Sequence, residues 1–301
     1  MERTGYFSLY YLSNPPDYEP LFNSRSPETS YTLIQIDGRT RQLGSRSFRP
    51  RLENYDGNPA FVFESSSITV TQVFSPVQTP NSSVVNGVMI TYTIHNTGSQ
   101  NHSVGLRVLI DTNMLEGRRM PPFTTNARTF SNETFLEAGG EDRYWINQGA
   151  RVSLMGSIVN PIDTSAVVPD VHFANWGRLD NASWNLRFSR GRSFRNDPAV
   201  CYIFQPALLE SGGSFTYSIF LTSEDIAWYD IKPQPLAETA GIPPAGTPGG
   251  GPAANMDDAN ILILKELQGV LNQFIYGEID LGEQDLLEIE AAIERHRNSL
   301  R

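Results

Sequence analysis

The feature that most constrains this chain is a change of hydrophobic period along its length. From Tyr31 to Leu221, short runs rich in β-branched and aromatic residues alternate with turn clusters. The clearest runs are Tyr31–Ile36, Phe61–Glu64, Ile68–Phe74, Val88–His95, Val104–Ile110, Val152–Ile158, Val200–Phe204 and Phe215–Leu221. No amphipathic helical stripe interrupts them. Ile68-Thr-Val-Thr-Gln-Val-Phe74 alternates, as a strand with one solvated face does. Asp37-Gly38, Asn96-Thr97-Gly98 and Ser211-Gly212-Gly213 are turn signals and predict hairpins. A chain with this rhythm must pair its strand edges and cover its sheet faces. The expected fold is mainly β, a large antiparallel β-sandwich.

The period switches near the C-terminus. Pro233-Gln-Pro235 and Ile242-Pro-Pro-Ala-Gly-Thr-Pro-Gly-Gly-Gly-Pro252 read as an extended tether. Beyond it, Ile261, Leu264, Leu267, Leu271, Phe274 and Ile275 fall on one helical stripe. Leu286, Ile289, Ile293 and Leu300 make a second stripe, with Asp280 and Glu283 as a capping box. The expected organisation is a β-sandwich domain over residues 1–232, a Pro/Gly-rich linker over 233–255 and an acidic αα-hairpin over 256–301. Two such helices cannot bury their stripes alone. They dock on the body, on a second copy or on a protein partner.

Charge narrows the partners. Lys and Arg number 23 and Asp and Glu 33, a net −10. Six of those ten negative charges come from the tail, where acidic residues number ten and basic residues four. This balance gives no general attraction to nucleic acid or anionic lipid, so no nucleic-acid partner is expected. No run approaches the length of a membrane span. The start, Met1-Glu-Arg-Thr-Gly5, lacks the apolar stretch of a signal peptide. The expected compartment is therefore cytoplasmic, or the cell envelope or periplasm for a chain already cleaved. A single Cys excludes a disulfide framework, and the four His have no metal-type spacing, so neither metal nor cofactor is expected.

Few residues suggest chemistry. Asp111 ends an apolar strand, and Glu116, Arg118 and Arg119 follow in the most densely charged loop of the body. Paired acids across a groove are the pattern of glycoside chemistry, whereas an Asx-type turn with a local ion pair needs no ligand. His172 and Trp176 lie in Val-His-Phe-Ala-Asn-Trp, a run that suits a packed strand. Trp145, Trp176 and Trp184 could stack on sugar rings or fill the core. Cys201 sits in Ala-Val-Cys-Tyr-Ile-Phe, where a buried inert thiol is expected. No nucleophile elbow or phosphate loop is present.

Three segments carry a resemblance. They are Ile90-Thr-Tyr-Thr-Ile-His-Asn-Thr-Gly98 with Ser103–Thr112, Phe173-Ala-Asn-Trp176 with Trp184, and Asp197-Pro-Ala-Val200 leading to Pro206–Gly213. Together they resemble uncharacterised bacterial cell-envelope β proteins with a supersandwich similar to that of galactose mutarotase. The resemblance implies that fold over most of the body and is nearly silent on function. Two functions stay open. One is a non-enzymatic structural or adaptor protein of the envelope, with the hairpin as its interaction element. The other is a carbohydrate-binding or carbohydrate-modifying domain, with a glycan as ligand.

The tail yields a test. Ile261, Leu264, Leu271, Phe274, Leu286 and Ile293 are expected to be buried against each other or a partner. Leu271→Ala and Phe274→Ala should each cost about 2–5 kcal/mol of that contact. In a pull-down or sizing assay the contact should dissociate while the β body stays folded. Salt at about 1 M should weaken it only modestly, since apolar burial dominates. Loss in salt combined with silent alanine changes would exclude the stripe as the interface.

Overall fold

A computed structural model describes residues 6–14, 17–22, 27–80, 82, 85–112, 114, 123–149, 152–163, 165–180, 184, 189, 191–193 and 197–223. The linker and the C-terminal hairpin lie outside the described residues. So do Glu116, Arg118 and Arg119, and the stripe residues Ile261, Leu264, Leu271, Phe274, Leu286 and Ile293.

The regular structure of the described chain is almost all strand. β1 (Tyr10–Asn14) and β2 (Asp17–Pro20) pair as a separate hairpin. β3 (Tyr31–Ile36), β4 (Arg39–Gln42), β5 (Arg49–Tyr55), β6 (Asn58–Glu64), β7 (Ile68–Val77), β8 (Gly87–Asn96) and β9 (His102–Asp111) follow. Shorter strands come next, namely β10 (Phe123–Thr125), β11 (Thr129–Phe130), β12 (Thr134–Leu136), β13 (Tyr144–Asn147), β14 (Leu154–Ser157) and β15 (Asp170–Asn175). A single helical turn, α1 (Trp176–Leu179), precedes β16 (Pro198–Leu209) and β17 (Ser214–Ser223). Among the described residues no helix is long and apolar enough to cross a membrane.

Two large antiparallel sheets form the sandwich. One has nine strands in the order β11-β10-β13-β14-β17-β8-β7-β6-β5, and the other six in the order β12-β15-β16-β9-β3-β4. The expected runs all fall in these strands, although Val152–Ile158 shortens to Leu154–Ser157. Asp37-Gly38 makes a tight hairpin turn between β3 and β4, with both residues at positive φ (51° and 76°). That geometry matches the right-handed twist of the flanking strands.

The other two expected hairpins prove to be something else. Asn96-Thr97-Gly98 joins β8 of the nine-stranded sheet to β9 of the six-stranded sheet. Ser211-Gly212-Gly213 joins β16 to β17, also across the two sheets. They are corners where the chain changes layer, and local turn residues look the same in both cases. Asn96 ties the corners together. Its Nδ2 donates to the carbonyls of Gln100 (2.8 Å), Leu209 (3.2 Å) and Glu210 (3.1 Å), and its Oδ1 accepts from the Gly98 N–H (3.0 Å). Its backbone pairs with Gly213 O and Gly212 N–H, both at 3.0 Å.

The core lies between the sheets. β6 contributes Phe61 and Phe63, β8 Ile90 and Ile94, and β9 every second residue from Val104 to Ile110. Two tyrosines bridge the layers. Tyr92 on β8 shares a hydrogen bond with Thr32 of β3 (2.9 Å) and accepts from Gln72 Nε2 (3.0 Å). Tyr202 on β16 accepts from Trp145 Nε1 on β13 (2.6 Å). Gly156 makes that last contact feasible, because a Cβ there would collide with the Trp145 ring and the Tyr202 hydroxyl. Trp145 is wholly buried and is therefore a core residue, not a sugar platform. At the rim of the nine-stranded sheet, β5 carries Arg51 paired with Glu53 and Glu64, beside exposed Leu52 and Tyr55.

The corner clasp predicts a donor-specific loss of stability. Asn96→Ala should cost about 1–3 kcal/mol or more, because buried carbonyls lose their donor. Asn96→Asp should cost at least as much, since a buried carboxylate would face three carbonyl oxygens. Urea unfolding of the two variants checks this. A mild effect of Asn96→Asp would show that the side chain acts as an acceptor only.

Candidate functional site

The central strands of the six-stranded sheet are buried on both faces. Its inner face meets the nine-stranded sheet, and its outer face carries a second apolar cluster that includes Tyr31, Leu33, Leu109, Leu179, Trp184, Cys201 and Ile203. Strand register orders that outer face into rows. Phe135, His172, Cys201, Leu109 and Tyr31 stand opposite one another across β12, β15, β16, β9 and β3. One row along lie Asp170, Ile203, Arg107, Leu33 and Gln42, and on the other side Ala174, Ala199 and Asp111. Side chains two apart on a strand share a face, so Asp111, His172 and Arg107 belong to one surface.

The loop region around α1 covers this surface. Trp184 lies against Gly105, where a Cβ would sit 2.8 Å from its ring, and it is 8 % exposed. It too is packing. Arg107 is fully buried beneath α1. Its Nε donates to Cys201 Sγ (3.1 Å) and its guanidinium to the Leu179 carbonyl. Burial pushes the Cys201 thiol up despite the nearby cation, consistent with an inert sulfur.

His172 and Glu133 form a buried pair, each 1 % exposed on its side chain. The neutral ring donates from Nε2 to Glu133 Oε1 at 3.1 Å. Glu133 also accepts from Arg178 Nε (2.9 Å) and from the Ser189 N–H (3.1 Å). Burial lowers the His172 pKa below its usual 6.5, the Glu133 carboxylate opposes this, and Arg107 and Arg178 reinforce it. The pair is thus consumed in fixing Arg178.

Two clefts open beside α1. The first, about 430 Å³, is lined by residues that include Tyr6, Tyr31, Arg41, Gln42, Trp176 and Asp180. Its aromatic walls are held in place. Trp176 Nε1 donates to the Thr29 carbonyl (2.8 Å), and the Tyr31 hydroxyl donates to Asp180 Oδ1 (2.6 Å). Burial and then Asp180 push the Tyr31 hydroxyl pKa well above its usual range. The second, about 380 Å³, is lined by Asn175, Gly177, Arg178, Arg192 and Asp197. Burial raises the Asp197 pKa, partly offset by the Gly177 N–H that it accepts. Among the described residues no group of three or more His, Cys, Asp or Glu could hold a metal ion.

The residues singled out from the sequence distribute unevenly. Trp176 lines the first cleft, His172 is buried behind the second, and Asp111 closes β9 as a buried residue whose N–H donates to Ser30 Oγ (3.0 Å). Trp176 begins a helical turn instead of continuing the strand. Sequence reasoning missed Arg107, Glu133, Arg178, Arg192 and Asp197. Arg107 did carry a signal, since a lone charge inside the apolar run Val104–Ile110 must find buried partners. The others sit in polar loops with no pattern.

Neither a family model nor a curated protein matches the chain. Solved structures with a similar backbone arrangement do exist. A galactose mutarotase/aldose epimerase homologue from C. elegans has a TM-score of 0.41 at 9% identity, over 72% of this chain and 91% of that one. A putative aldose 1-epimerase from Escherichia coli K12 has a TM-score of 0.39 at 10% identity, over 68% and 89%. A polysaccharide lyase has a TM-score of 0.39 at 12% identity over 70% of this chain, which spans only 30% of that protein.

The His172 geometry predicts acid sensitivity. A histidine whose folded pKa is depressed contributes stability that is complete above its unfolded value, near 6.5, and is lost as pH falls below it. The thermal midpoint should therefore drop between pH 7.5 and pH 5, a window of about 2.5 units around the ordinary His value. His172→Gln should lower stability at pH 7.5 and flatten that slope. Equal slopes in both proteins would show that the His172 pKa does not change on folding.

Proposed function

We propose that the protein binds carbohydrate on the outer face of its six-stranded sheet, in the cleft walled by Trp176 and Tyr31. The observation that carries this reading is a pre-set aromatic wall surrounded by planar hydrogen-bonding groups. Sugar rings present C–H faces that pack on an indole and hydroxyls that bond in the ring plane. Trp176 and Tyr31 supply the first, and Arg41, Gln42, Glu28 and Asp180 the second. Because hydrogen bonds fix Trp176 and Tyr31, little side-chain entropy is lost on binding. Binding fits better than catalysis. The buried His172–Glu133 pair opens to neither cleft as a free acid and base.

A second reading, an envelope adaptor working through the C-terminal hairpin, rests on the helical stripes from Ile261 to Leu300 and on the Pro/Gly linker before them. In that reading the three parts, 1–232, 233–255 and 256–301, have separate tasks. Deleting 233–301 would remove a protein partner and leave sugar binding intact.

Calorimetry with a panel of neutral mono- and oligosaccharides tests the main reading. At least one should bind. Trp176→Ala should weaken it about five- to tenfold, and Trp176→Phe less, because a ring face remains. No binding across neutral and acidic sugars, or binding indifferent to Trp176→Ala, would sink the assignment.

A further inference from the structure

Gly177, on the wall of the second cleft, directly follows Trp176, on the wall of the first. It is exposed, and a Cβ built there would meet nothing within 4 Å. At Gly177 the backbone of α1 is bare, so no side chain there stands in the way of a ligand seated on Trp176.

The lining changes character from one cleft to the other. The first cleft is aromatic, whereas the second presents Arg178, Arg192, Asn175 and Asp197 around Gly177. Arg178 does not move freely. Glu133, itself buried, accepts from its Nε and fixes the direction of the guanidinium. Arg192 is exposed, and its guanidinium makes no hydrogen bond or ion pair among the described residues. Asn175 also lines this cleft, and its Oδ1 is buried without a hydrogen-bond donor. Asp197 is turned to the Gly177 N–H. Two guanidiniums, one held and one available, match the planar fork of a carboxylate better than they match a neutral hydroxyl.

We propose that the two clefts form one continuous site for an acidic saccharide, with a uronate carboxylate bound by Arg192 and Arg178 and the adjoining sugar ring held on Trp176. The proposal rests on the carbohydrate reading of the Trp176 cleft. It adds the class of sugar and the direction in which the chain of sugars runs, across Gly177. The buried His172–Glu133 pair then has a purpose, because it holds Arg178 from behind. Glu133 is a positioning residue here and does not touch the ligand.

The test uses the full chain and four probes, trigalacturonate, trimannuronate and the methyl ester of each. An acid trimer should bind at least about tenfold tighter than its own ester, as expected for a charge-assisted pair. Arg192→Ala should remove most of that difference, chiefly by weakening the acid, and Arg192→Lys should restore part of it. Trp176→Ala should weaken acid and ester alike. If acid and ester bind equally and Arg192→Ala is silent, the acidic-sugar inference fails while the carbohydrate reading survives. If the acid binds but Trp176→Ala does not affect it, the site is not continuous and the inference fails. If none of the four probes and no neutral sugar binds, both fail together.

Discussion

The Asn96 amide holds together the two places where the chain changes sheet. A sandwich made of long strands must move its backbone from one layer to the other without leaving buried carbonyls unpaired. Here both crossings occur side by side, at the β8–β9 and β16–β17 corners, and one side chain serves them. An amide suits the task because it both donates and accepts. With the corners clasped, β8 and β17 pair in one sheet and β9 and β16 in the other, each through a long ladder. The register of the outer-face rows, and so the position of every residue near α1, follows from them.

The second consequence is a sheet with no dry-to-wet division. β9 is central in the six-stranded sheet and buried on both faces. Its inner residues are aliphatic. Its outer residues include Gly105 and Arg107, each matched to something laid over the sheet, and Asp111, whose N–H meets the Ser30 hydroxyl beside β3. A buried cation in such a place is costly unless its donors are satisfied, and the Leu179 carbonyl and the Cys201 sulfur help to satisfy it. Arg107 thereby pins the end of α1 to the sheet. Helical turns this short do not hold themselves, so this anchor and the Trp176 and Tyr31 hydrogen bonds set the clefts.

How much of this could be read in the sequence follows from the range of the forces involved. Strand period and turn residues are local, so Tyr31–Ile36, Ile68–Phe74 and the Asp37-Gly38 hairpin could be read directly. Whether Asn96-Thr97-Gly98 turns within a sheet or between sheets depends on pairing far along the chain, which turn chemistry does not encode. The short strands β10 to β13 have too few residues to show a period and exist because the neighbouring ladders extend to them. The site is the least legible part. Trp176 and His172 stood out as rare residues, but Glu133, Arg178 and Arg192 come together only through the fold. The tandem tryptophans illustrate the limit, since Trp145 and Trp184 fill space and Trp176 alone of these three lines the first cleft.

The charged rim at β5 bears on how such a protein survives at high concentration. An outermost strand offers a row of amide and carbonyl groups to any passing strand, and Leu52 and Tyr55 would add an apolar reward. Arg51, placed between Glu53 and Glu64, keeps ionic groups at that border. A second chain joining there would have to strip water from both signs of charge at once. Among the described residues β5 ends the nine-stranded sheet, and its charges oppose growth by strand addition there.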